Sequence, residues 1–142
     1  MAARVRPLLV LLGVAFLVSI VHYVDNTVNY ADYPSAEAGS ALSSVEPSQG
    51  LVGAAWFIFT TFGVLGLWLL SRGRVAAAAV SIALYSGSGL VGFLHYAVPG
   101  ATDMPWWRQA HVVADIICGV LLFAYSLKMA TTGRQALARV PR

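Results

Sequence analysis

Residues 51–98 read LVGAAWFIFTTFGVLGLWLLSRGRVAAAAVSIALYSGSGLVGFLHYAV. The first twenty carry no ionisable group. At 1.5 Å of helical rise per residue they span about 30 Å, the thickness of a bilayer's hydrocarbon layer. Ser71-Arg72-Gly73-Arg74 interrupts the run, and residues 75–98 form a second apolar stretch. Lipid offers no hydrogen bonds to the backbone, so each run must be a helix that satisfies its own peptide groups. The short basic break makes the two helices an antiparallel pair.

Outward from this pair, residues 8–23 and 110–127 are apolar runs of similar length. The reading is an all-α integral membrane four-helix bundle, one domain over residues 1–142. Its helices are expected at about 8–24, 50–71, 75–98 and 109–128. Composition agrees: 58% of residues are hydrophobic and 11% charged, with a mean hydropathy of +0.73, too few charges to solvate a soluble domain of this size. The first run follows Arg4 and Arg6 like a secretion signal. Its only small-x-small site, Ala36-Glu37-Ala38, lies too far beyond the apolar core for cleavage, so a retained helix is expected.

The net charge of +3 does not point to nucleic acid, because the basic residues flank the apolar runs and form no patch interleaved with aromatics. They report orientation instead. Arg4, Arg6, Arg72, Arg74, Lys128, Arg134, Arg139 and Arg142 fall on one side of the membrane, and only Arg108 on the other. The positive-inside rule then gives an N-in/C-in, multi-pass protein of the cell (inner) membrane, with outer loops at 25–49 and 99–108 and a basic cytoplasmic tail at 129–142. The tail suits anionic lipid headgroups. Trp106 and Trp107 read as an interfacial aromatic belt.

Small and polar residues mark the faces on which membrane helices pack. Ser86-Gly87-Ser88-Gly89 is such a face; it has no Lys, so it is not a phosphate loop. Gly63 and Gly66, with Ala79, Ala83 and Gly87, form stripes that fit a neighbouring helix or a second copy. Steps of three or four residues also align Ala15, Ser19, His22 and Asp25 or Asn26 in the first helix. In the third they align Tyr85, Ser88, Gly92 and His95, and in the fourth His111, Asp115 and Ser126. All three histidines thus occupy packing faces, at the outer ends of their helices. Ionisable groups at such positions are costly, which makes them site candidates.

His22, Asp25, His95, His111 and Asp115 provide three imidazoles and two carboxylates. This donor set suits a divalent metal, zinc first, or iron or manganese at higher coordination. Asp115 is then a ligand or the catalytic base, or it orients an imidazole from behind. A substrate reaching that level is a lipid or a lipid-linked ester or amide. Haem between two histidines, with Gly89 or Gly92 admitting the macrocycle, and a quinone headgroup are redox alternatives. The non-catalytic alternative is a hydrogen-bond network pinning the outer loops, in a scaffold or accessory subunit of a larger membrane complex. Membrane lipids are the expected partners, with a homo-oligomer or that larger complex. Cys118, the single cysteine, excludes an intrachain disulfide and reads as a small core hydrophobe.

Overall fold

A computed structural model describes residues 2–138, and side chains for residues 6–131. Four long helices follow one another: α1 (Ala2–Val28), α2 (Gln49–Ser71), α3 (Val75–Leu90) and α4 (Trp106–Ala138). Within them, and in the continuation of α3, lie four stretches long and apolar enough to cross a membrane. Arg139 and Arg142 of the expected tail lie outside the described residues.

The helix ends follow from local chemistry. Ser48 caps α2 by accepting a hydrogen bond from the Leu51 amide. At the other end Gly73 takes φ +71°, and the Gly73 and Arg74 amides donate to the Leu70 and Leu69 carbonyls. That pairing satisfies the last carbonyls of α2 and turns the chain into α3 within three residues.

Sequential helices pack side by side in a ring, which α1 closes by touching both α2 and α4. α3 is the innermost, with half of its span buried against 17% for α2, so α2 carries the widest exposed apolar surface. α3 and α4 meet backbone to backbone. A Cβ on Gly89 would collide with the Asp115 carbonyl, and one on Gly119 would stand 2.8 Å from the Ser86 carbonyl. α2 and α3 meet similarly, Gly66 lying against Ile82 and Gly63 against the Tyr85 ring. The expected use of these small residues, close packing, is what they do within one chain. Cys118 is buried in the central apolar cluster with Leu12, Ile82 and Leu122.

Boundaries differ from the sequence expectation: α1 begins at Ala2 and α4 at Trp106, each earlier than expected, and three helix ends differ as well. α1 runs on to Val28, so Asp25 and Asn26 belong to the helix rather than the loop. α4 continues through the start of the expected tail to Ala138. The third helix is not uniform to residue 98: after Leu90 it tightens into a 3-10 segment, Val91–Ala97. Gly89 and Gly92 weaken the α form there, and Pro99 forbids its continuation. With three residues per turn, Gly89, Gly92 and His95 stack on one face.

Candidate functional site

The end of the bundle opposite the Arg72–Arg74 turn holds every histidine. α1 and α4 pack against each other, and His22 and Asp115 bond across that contact. His22 and Asp115, each 2% exposed, sit at the centre, with His22 Nδ1 2.7 Å from Asp115 Oδ2. At that distance Nδ1–H donates to the carboxylate, which fixes the ring's orientation and leaves Nε2 pointing away. An isolated buried carboxylate costs several kcal/mol in lipid or protein, so Asp115 depends on this bond.

His22 Nε2 faces His95 Nε2 at 3.3 Å, and Asn26 Nδ2 lies 3.0 Å from the same His95 nitrogen. Two imidazole lone pairs cannot face each other at this separation without repulsion. A proton on one of the two nitrogens removes the repulsion, and neutral rings suffice: Nε2–H of His95 donates to His22 Nε2, with the Asn26 amide oxygen turned toward His95. Asp115, His22 and His95 thus form a continuous chain of polar atoms from the middle of α4 across α1 to the 3-10 segment. Gly92 permits it: a Cβ there would press on Ile116 at 2.9 Å and approach His22 Cε1 at 3.8 Å.

His111 lies beside this chain, its ring centroid 5.6 Å from that of His22. Its Nε2 is 3.3 Å from Asp25 Oδ2, within ion-pair reach but out of line for a hydrogen bond, and neither ring nitrogen has a hydrogen-bond partner. Among the described residues, no three His, Cys, Asp or Glu side chains converge as a group that could hold a metal ion. The three imidazoles share a neighbourhood without sharing a coordination sphere.

Asp25 belongs to a second cluster. Its carboxylate accepts from Asn29 Nδ2 at 2.7 Å, Tyr33 Oη at 2.6 Å and Arg108 Nε at 2.9 Å. Arg108 also donates to the Asp32 carbonyl and carboxylate, and its guanidinium stacks over the Tyr33 and Trp107 rings, 4.7 and 5.0 Å from their centroids. Burial, then the bond to the Asp25 carboxylate, pushes the Tyr33 phenol well above its ordinary pKa, so it stays a donor. The Tyr33 ring in turn packs 4.9 Å from His95. Trp106 is exposed, as a belt residue is, whereas Trp107 is half under Arg108.

No protein-family model, curated protein or solved structure matches the chain. The chemistry therefore has to be read from the site itself.

Sequence spacing picked out His22, His95, His111, Asp115 and Asp25, and all five lie at this end of the bundle. It missed Arg108, Tyr33 and the part played by Asn26. Arg108 did leave a signal: it is the one basic residue on the acidic side of the orientation count, where only a specific carboxylate partner would hold it.

Proposed function

We propose that this chain is a small multi-pass protein of the inner membrane, N-in and C-in, whose histidine end faces outward and acts on a lipid or lipid-linked substrate. Asp115 and His22 are its acid–base pair. The observation that carries the reading is the 2.7 Å bond from His22 to a carboxylate as buried as itself. A carboxylate behind Nδ1 holds the imidazole in one tautomer and offsets the charge it gains when Nε2 takes a proton. The neutral His22–His95 pair takes a proton from an attacking water, hydroxide adds to an ester or amide carbonyl, and the proton returns to the leaving oxygen or nitrogen. His95 is placed to share that proton across the junction. Asp115 acts through His22, as the residue that positions it.

Release of fatty acid from lipid esters in mixed micelles tests this. His22→Gln is expected to abolish turnover, and Asp115→Asn to lower kcat by about 10²–10⁴, the usual worth of a positioned base. Turnover indifferent to His22→Gln sinks the proposal. Tolerance of both changes, with larger membrane proteins co-purifying, would instead mark an accessory subunit with a structural network.

A second reading is favoured by one distance. Zinc–nitrogen bonds of about 2.0–2.1 Å at a tetrahedral angle set two ligating nitrogens about 3.3–3.4 Å apart. The His22 and His95 Nε2 atoms are 3.3 Å apart. A divalent metal would take the place of the proton between the two rings, with His111, whose ring nitrogens make no hydrogen bond, turning in as a third ligand and Asp115 orienting His22. Stoichiometric zinc in protein purified without chelators, lost in His95→Ala, is the expected result of this reading. Metal-free parent protein ends it. Haem gains no comparable support, since the space beside Gly89 and Gly92 is taken by the Asp115 backbone and Ile116.

A further inference from the structure

The polar centre forms one corner of a cavity of about 670 Å³, enclosed by α1, α2, the 3-10 segment and the connection between α1 and α2. Its origin lies in the helix geometry. Below it, Phe59 packs on Gly87 and holds α2 against α3. Above that contact the wall continues as the narrower 3-10 form, which withdraws it from α2 and leaves a gap. Phe59 is the floor, and Pro34, Leu42 and Val45 of the connection are the roof.

We propose that this cavity binds one uncharged, single-chain lipid, its hydroxyl or ester carbonyl against Asn26 and His95 and its chain leaving between α2 and the 3-10 segment. This deepens the proposed function and takes from it only that the ligand's polar end is the reacting end. Four observations support it. The volume lies inside the roughly 300–1,000 Å³ of pockets that enclose one small ligand, too little for a whole two-chain phospholipid. Leu51 and Ile58 of α2 and Val91 and Leu94 of the 3-10 segment line the cavity yet remain exposed, so its mouth opens sideways through apolar side chains.

The remaining two concern the polar end. Among the described residues no Lys or Arg lines the cavity, and the charged residue that does is Glu46. A phosphate there would be buried without a counter-charge. The three tyrosine hydroxyls at the wall are already committed, Tyr23 to the Ser88 carbonyl, Tyr30 to the Pro47 carbonyl and Tyr33 to Asp25. The Ser35 hydroxyl, the rest of the Asn26 amide and the edge of His95 turned away from His22 are thus the groups left to meet a ligand, a set suited to a neutral oxygen.

The test uses full-length protein in detergent with 1-monooleoylglycerol or 1-oleoyl lysophosphatidic acid, read by native mass spectrometry. One monooleoylglycerol per chain is expected, retained about tenfold better than the phosphate lipid. Ala55→Trp fills the cavity and Val91→Trp its mouth. Each is expected to lower retention about tenfold, with the helical circular-dichroism spectrum unchanged. No retention, equal or better retention of the phosphate lipid, or undiminished retention in both variants overturns the proposal. Asp115→Asn separates it from the acid–base reading: Asp115 does not line the cavity, so the change should lower ester turnover while leaving retention near the parent's. A parent that holds monooleoylglycerol but turns over no ester keeps the cavity and loses the chemistry. A parent that turns over ester, with both Trp variants undiminished in retention and turnover, loses the cavity and keeps the chemistry.

Discussion

Arg108 ties α4 to two other segments through one planar group: to Asp25 on α1, and to Asp32 and the ring of Tyr33 in the connection. The side chains of Arg108 and Asp25 are 5% and 11% exposed, so neither charge has water to fall back on. Arg108→Ala should cost about 3 kcal/mol, the lower end for orphaning one partner of a buried pair, seen as a lower melting temperature in detergent. Arg108→Lys should recover only part of it, because an ammonium neither forks between two acceptors nor stacks on a ring. Tyr33 gives this cluster a pH signature. Its folded pKa lies above its unfolded value of about 10, so the folded state holds the proton more tightly. The stabilisation is complete below pH 10 and is lost as pH rises above it. Tyr33→Phe should lower the melting temperature at neutral pH and lose this alkaline decline; an identical decline in both proteins would refute the assignment. Of this cluster only Asp25, at helical spacing, and the lone outer charge of Arg108 were legible in the chain, since tertiary packing is what brings Asp32, Tyr33 and Arg108 to Asp25. His22, His95, His111 and Asp115 were legible because each sits in a helix whose apolar period makes a polar residue conspicuous.

Among the elements, α3 and its 3-10 continuation decide where the site falls. The apolar run 75–98 announced a spanning segment, and Ser86–Gly89 announced close packing, because both signals depend on composition and helical spacing alone. The change of winding at Val91 did not show, since it depends on whether Gly89, Gly92 and the approaching Pro99 outweigh the i to i+4 bonds, a balance of small terms. The cavity escaped the sequence for the same reason: it is a consequence of that change and of how the connection folds back. Gly89 can be tested directly. In Gly89→Ala the new methyl meets the Asp115 carbonyl, so α3 and α4 must part at the level of the His22–Asp115 bond. A loss of about 1–3 kcal/mol is expected, with ester turnover falling further than stability alone explains. Gly13→Ala, where no neighbour lies within 4 Å of the added carbon, is the control and should leave turnover unchanged and stability the same or up to about 1 kcal/mol higher. Equal behaviour of the two variants would mean that the α3–α4 contact does not set the site.

For the molecule as a whole, the four spans arrange the polar groups asymmetrically. The histidines, Asp25 and Asp115 gather at one end, and Arg72 and Arg74 form the turn at the other. The proposed orientation keeps the arginine turn in the cytoplasm and presents the cavity mouth to the outer leaflet. Cysteine labelling can decide the orientation with little background, because Cys118 is buried within the bundle. Ser44, in the connection above the cavity, and Ser71, at the end of α2, are both exposed and each bonds only a carbonyl of its own segment, so replacing either should leave the fold intact. Ser44→Cys should react with a membrane-impermeant maleimide on intact cells, and Ser71→Cys only after permeabilisation. The reverse pattern would turn the bundle over and move the histidine centre to the cytoplasmic leaflet. The His22–Asp115 pair and the cavity would survive that reversal as geometry, but the substrate would then have to come from lipid facing the cell interior.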